Sequence, residues 1–158
     1  MKTTLQREIS DAMASHGFTE VESAAAVMPG VGPLLRRRGL SGNRAVVVAE
    51  LAEPPSSLHS YLRELRRRVA FHCGFFPIIW AIYMQVVLIA PGIADAGFNS
   101  ADHVARMDNQ WANIQSVFLV DPSAGLFYWA RTWGQFLSGG QQDDISAVLS
   151  RHLERIDQ

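Results

Sequence analysis

Hydrophobic residues recur along this chain with two different periods, and the changes between them mark out its elements. From Thr3 to Ser15 the apolar positions Leu5, Ile9, Ala12 and Met13 fall at helical spacing, Thr3 and Gln6 can form a capping box, and Gly17 stops the helix. Phe18 to Val27 reads as a strand. Residues 28–43 concentrate glycine, proline and arginine and read as a long mobile loop. Arg44 to Leu51 alternates, with Ala45, Val47, Ala49 and Leu51 on one side and Arg44, Val46, Val48 and Glu50 on the other. Pro54-Pro55 ends that strand, and Ser56 caps a second helix whose apolar stripe is Leu58, Leu62, Leu65 and Val69.

Phe75 to Ala81 shows no clear period. Tyr83 to Ala90 is rich in β-branched and aromatic residues and predicts a strand buried on both faces. Residues 91–99 form a loop, and Ser100 caps a short helix with Val104, Met107 and Trp111 on its apolar side. Ile114 to Val120 and Leu126 to Trp133 read as strands joined by a hairpin turn at Asp121-Pro122-Ser123-Ala124-Gly125. Gly139-Gly140 breaks the chain before a final helix, capped by Asp143, that buries Ile145, Val148, Leu149, Leu153 and Ile156. The order predicts a single α+β domain over residues 1–158. Its sheet is mainly antiparallel, of about five strands, packed with three main helices and one short helix in a two- or three-layer sandwich. This element order loosely resembles that of roadblock-type adaptor domains, which are small dimerising platforms.

Composition narrows the class. The chain has 158 residues, 48% of them hydrophobic and 18% charged, which excludes a disordered tail or a charged linker. A formal net charge of −1 argues against a nucleic-acid coat. The single cysteine, Cys73, rules out an intramolecular disulfide, and Met1 to Glu8 lacks the apolar run of a signal peptide, so the expected location is the cytoplasm. Val69 to Ala94 carries no charge and follows Arg66-Arg67-Arg68, as a membrane span would. Pro77, Pro91, Gly74, His72 and Gln85 speak against that reading. Thirteen of the fourteen basic residues are arginine, so no internal lysine is available as a Schiff base or phosphate clamp.

Two groups of residues could carry binding. On the second helix, at ~100° per residue, His59, Arg63, Arg66 and Arg67 fall on one flank of the apolar stripe, while Glu64 and Arg68 fall on the other as an i,i+4 pair. Neighbouring guanidinium groups repel, and a phosphate, a carboxylate or an acidic patch on a partner relieves that cost. Arg36, Arg37 and Arg38 on the 28–43 loop could join this anion site. On the return strand of the hairpin, Phe127, Trp129, Arg131 and Trp133 lie on one face as an aromatic row with a guanidinium inside it. Such rows are enriched at the centres of protein interfaces, although a covering helix would make the same residues core.

Catalytic sets are poorer. His72 and Cys73 are adjacent and diverge, so Cys73 reads as an inert buried thiol. Glu20, Glu22 and Glu50 would converge on a divalent cation if the two early strands paired. A nuclease of the restriction-endonuclease type also wants a strand lysine, and Glu50-Leu51-Ala52 has none. Asp95, Asp102, His103 and Asp108 form a looser set. Gly30-Val31-Gly32 is followed by proline rather than a helix start, which is no phosphate cradle, and no motif implies a cofactor or a resident metal.

The pattern predicts a non-catalytic module that binds another protein or itself as a homodimer, of the kind found among small bacterial adaptors, chaperones and immunity proteins. The bipolar charge supports it: residues 1–75 hold ten basic and seven acidic residues, and residues 76–158 hold four and eight. The alternative is a phosphoanion or small-molecule binder, or an enzyme, using the arginine flank of the second helix.

Overall fold

The computed structural model describes residues 3–22, 26–39, 42–73, 82–99, 112–129 and 140–156. Helix α1 (Thr4–Ala14) opens with the expected capping box. Gln6 N–H donates to Thr3 Oγ1 at 3.3 Å, and Thr3 N–H donates to Gln6 Oε1 at 3.0 Å. Two residues of strand β1 (Thr19–Glu20) follow, then β2 (Val31–Arg37), β3 (Asn43–Glu50) and the fifteen-residue helix α2 (Leu58–His72). Strand β4 (Ile82–Ile89), a short 3₁₀ turn (Ile93–Ala96), β5 (Ala112–Asp121) and β6 (Leu126–Trp129) lead to helix α3 (Gln141–Ser150) and β7 (Glu154–Ile156).

The seven strands form one sheet in chain order, β1 to β7. Its pairings are mixed. β1·β2, β2·β3 and β5·β6 are antiparallel, whereas β3·β4, β4·β5 and β6·β7 are parallel. This overturns the mainly antiparallel, five-stranded sheet expected from the pattern, and the likeness to roadblock-type adaptors, which rested on that element order, goes with it. The physical reason lies in the connections. A fifteen-residue helix is about 22 Å long, close to the length of an eight-residue strand. Helix α2 therefore carries the chain back to the start of β3, and β4 runs parallel to it with Val47 opposite Val86. Helix α3 does the same between β6 and β7.

Alternation along the strands sends two sets of side chains to opposite faces. Ala45, Val47 and Ala49 of β3, Met84, Val86 and Leu88 of β4, and Val117 and Leu119 of β5 pack with Leu58, Leu62, Leu65 and Val69 of α2. Val46, Val48, Val87, Phe118, Val120, Phe127 and Trp129 pack on the other face with Ile9 and Met13 of α1 and Ile145, Val148 and Leu149 of α3. Among the described residues the result is three layers: α2, the sheet, and α1 beside α3.

Several boundaries differ from the expected ones. Val31–Arg37, read as loop, is a strand. Its register against β3 shifts by one residue between Val31 and Leu34, and that bulge accommodates Pro33, which has no N–H to give a ladder. Of the expected strand from Phe18 to Val27, the described residues form the two of β1. Ser57 rather than Ser56 caps α2, accepting from Ser60 N–H at 3.3 Å. Gly140 rather than Asp143 stands at the start of α3, and the chain leaves that helix after Ser150 to form β7, which takes in Ile156. The short helix expected after Ser100, and the set Asp102, His103 and Asp108, lie outside the described residues. Of the segment considered as a membrane span, residues up to His72 close α2 and Ile82–Ile89 is a strand; among the described residues no helix is long and apolar enough to cross a membrane.

Gly30 fixes the start of β2. It sits at φ +82°, its carbonyl accepts from Glu50 N–H at 2.8 Å, and a Cβ there would lie 2.4 Å from the Glu50 carbonyl oxygen. Gly30→Ala is expected to cost about 2 kcal/mol or more, through both the left-handed backbone and the clash. Urea unfolding checks it, and an unchanged midpoint would refute the close approach.

Candidate functional site

The aromatic row divides. Phe127 and Trp129 are 0% and 1% exposed, on the face covered by α1 and α3. The Trp129 indole stacks on Phe118 with ring centroids 5.0 Å apart, and the guanidinium of Arg155 in β7 lies 4.7 Å from the indole centroid. The cation–π partner seen here is thus Arg155. Arg131 and Trp133 lie outside the described residues.

The arginines proposed as one anion site are spread over both faces of the sheet. Arg36 Nη1 donates to the carbonyl of Cys73 at 2.9 Å, so it serves the C-terminal end of α2. Arg37, its neighbour in β2, points the other way, donating to the His16 carbonyl at 2.8 Å with its guanidinium 5.6 Å from the Phe18 ring centroid. Arg38 is exposed just beyond β2.

Helix α2 keeps its polar side outward. His59, Arg63 and Arg67 are exposed and Arg66 is half-buried. Arg67 does not remain with the other three. Its Nη2 donates to Glu64 Oε1 at 2.9 Å and its Nε to Oε2 at 3.2 Å. Arg68 joins the same carboxylate, with Nε to Oε1 at 2.5 Å, and also donates from Nη1 to the Val27 carbonyl at 3.1 Å. Hydrogen bonds from Arg67 and Arg68 hold the Glu64 carboxyl down at about 2. Arg63 and Arg66 have no ion-pair partner among the described residues.

At the last turn of α2 an open pocket of about 300 Å³ is lined by Arg67, Arg68, Phe71 and His72. Phe71 is 81% exposed, with the His72 ring edge-on at 5.7 Å between centroids. Sequence reasoning passed over Phe71, although the signal was there: two residues beyond Val69, it stands about 200° around the helix from the apolar stripe. Among the described residues, Phe71 is a large apolar side chain left in water beside two guanidinium groups, which burial in the fold does not account for.

The catalytic candidates separate. Cys73 is fully buried, and burial pushes its thiol up to about 12, against the lowering influence of Arg36 and Arg38. Strand β1 pairs with β2, not β3, which places Glu20 opposite Leu35. Glu50 ends β3 and accepts from Gln6 Nε2 at 3.1 Å. Among the described residues no three His, Cys, Asp or Glu side chains gather as metal ligands.

Fold and surface together describe an α+β protein with a mixed seven-stranded sheet between helical layers and a basic, aromatic-tipped helix on its outside. Compared with known proteins, the chain matches no family model, no curated protein and no solved structure.

Proposed function

We propose that this chain is a protein-binding module of the cytoplasm that docks an acidic segment of a partner protein on the outward face of α2. The exposed Phe71 in its arginine- and histidine-lined pocket is the observation that carries this reading. The pocket supplies an apolar anchor point with cationic groups around it, which is the composition of interface centres. Glu64 already shows how a carboxylate sits there, gripped by Arg67 through two nitrogens and by Arg68 through one. That pair is exposed, so exchanging Glu64 for a partner's carboxylate costs little. Arg63 and Arg66, one turn back, extend the positive face.

A labelled peptide alternating glutamate with leucine and phenylalanine provides the probe. Fluorescence anisotropy should report binding that weakens as salt is raised and falls about tenfold or more with Phe71→Ser. Arg67→Glu should have the same effect, while a peptide with glutamine in place of glutamate should bind poorly. Equal affinity of the wild type and Phe71→Ser would reject the surface. Stabilisation by inorganic phosphate that is lost in Arg63→Ala, without peptide binding, would favour the phosphoanion reading instead.

A further inference from the structure

The sheet face opposite α2 holds, beside its apolar core, a group of polar side chains shut away from water. Gln85 of β4 and Ser116 of β5 are register partners on neighbouring parallel strands and share that face. Gln85 reaches across to the first residue of α3, its Nε2 donating to Gln141 Oε1 at 3.3 Å. Gln142 is the next residue of that turn. Exposures are 2% for Gln85, 0% for Ser116 and 1% for each of Gln141 and Gln142. The register of β5 advances from Ile114 to Ser116 as that of β4 advances from Met84 to Gln85, so Gln115 is an extra, bulged residue beside the group. Bulges of this kind re-aim side chains and are frequent next to binding sites.

Among the described residues, five buried atoms of this group have no hydrogen-bond partner: Gln85 Oε1, Ser116 Oγ, Gln141 Nε2, and both Nε2 and Oε1 of Gln142. A buried polar atom needs a partner to replace the hydrogen bond it makes to water in the unfolded chain, a demand that a core leucine or methionine does not make. The ten-residue α3 adds to the deficit. Gly140 precedes it at φ 85° and has no side chain to cap its first turn. A helix start and a concentration of unmatched carboxamides therefore coincide.

We propose that Gln85, Ser116, Gln141 and Gln142 form a binding site for a small uncharged molecule with a hydrogen-bond donor beside an acceptor: a carboxamide, or the amide edge of a nucleobase. The unmatched set fixes the class. It offers amide N–H donors on Gln141 and Gln142, and carbonyl acceptors on Gln85 and Gln142. A carboxamide side chain pairs with such an edge through both of its atoms, as glutamine does with adenine. Ionised ligands fit less well. No charged side chain belongs to the group, and Asp143 and Asp144 already sit in the first turn of α3, where their carboxylates oppose a bound anion.

The experiment uses the full chain and three probes, acetamide, nicotinamide and uracil, in thermal unfolding and in titrations followed by amide NMR. At least one probe should raise the melting temperature in proportion to the logarithm of its concentration and should shift the backbone amides of Gln85, Ser116 and Gln142. Gln142→Met and Ser116→Ala should each remove the stabilisation; the second is the smaller change and covers the case in which the first fails to fold. Overturning results are no stabilisation by any probe, a shift that persists in both variants, or a crystal soaked with the probes in which ordered waters alone satisfy all five atoms. This site is remote from Phe71, so loss of peptide binding there leaves this result unaffected, and the reverse holds.

Discussion

Trp129→Ala is expected to unfold the protein rather than to detach a partner. The indole is 1% exposed, stacked on Phe118 at 5.0 Å, and covered by the guanidinium of Arg155 at 4.7 Å. Removing a tryptophan from such a site forfeits its transfer free energy and leaves a cavity that the flanking β5 backbone cannot close, a cost of about 3–5 kcal/mol. For a domain with a total stability of about 5–15 kcal/mol this is a large fraction. The urea midpoint should fall steeply with little change in slope, and Trp129→Phe, which keeps an aromatic ring against Phe118, should recover part of the loss. An interface tryptophan would behave in the opposite way, with association lost and the midpoint unchanged. Trp129→Ala with a wild-type midpoint would return this residue to the surface.

The distinction between those outcomes shows what a strand pattern can and cannot carry. Phe127 and Trp129 do share one face, as their spacing predicts, but alternation says nothing about what lies over that face. The cover is written elsewhere, in Ile9 and Met13 of α1 and in Ile145, Val148 and Leu149 of α3. The capping box at Thr3 and Gln6, the alternation of β3 and the doubly buried β4 were legible because each depends on neighbours in sequence. Strand β2 was hidden by its own composition. Gly32 lies where a Cβ would meet the Gln6 side chain at 2.8 Å, and Pro33 sits in a bulge, so two residues that mark a loop in sequence are here packing and register devices. Strands β1 and β7, at two and three residues, are too short for a period to appear. Their shortness, with mostly exposed residues, is also what protects the two edges of the sheet. On α2 the arginine flank was read from angle alone, whereas Glu64 reaches Arg67 as well as Arg68 because i,i+3 and i,i+4 neighbours are both within its span.

Asp121 provides the second large effect, and it is pH-dependent. At the end of β5 its carboxylate is 1% exposed and accepts from Ser123 Oγ at 2.5 Å, Ser123 N–H at 3.0 Å and Ala124 N–H at 3.1 Å. On its other oxygen it accepts from Ala94 N–H at 3.1 Å. One side chain thus closes the β5–β6 turn and ties it to the 3₁₀ turn that follows β4, helped by Gly92 N–H donating to Ser123 Oγ at 3.3 Å. Burial would raise this carboxyl, but the hydrogen bonds from Ser123 and from the Ala94 and Ala124 backbones outweigh it and hold the group at about 2, below its ordinary 3.8. Asp121→Ala strands these donors and is expected to cost about 2–4 kcal/mol at pH 7. Asp121→Asn should recover little of this, because an amide nitrogen would face donors. A carboxyl depressed in the folded state stabilises fully above its unfolded value and loses that contribution as pH falls toward the folded value. The stability gap between the wild type and Asp121→Asn should therefore be constant from pH 5 to pH 8 and shrink between about pH 4 and pH 2. Urea midpoints across that range measure it. A gap that stays constant down to pH 2 would mean that the Asp121 carboxylate is not the acceptor joining the two turns.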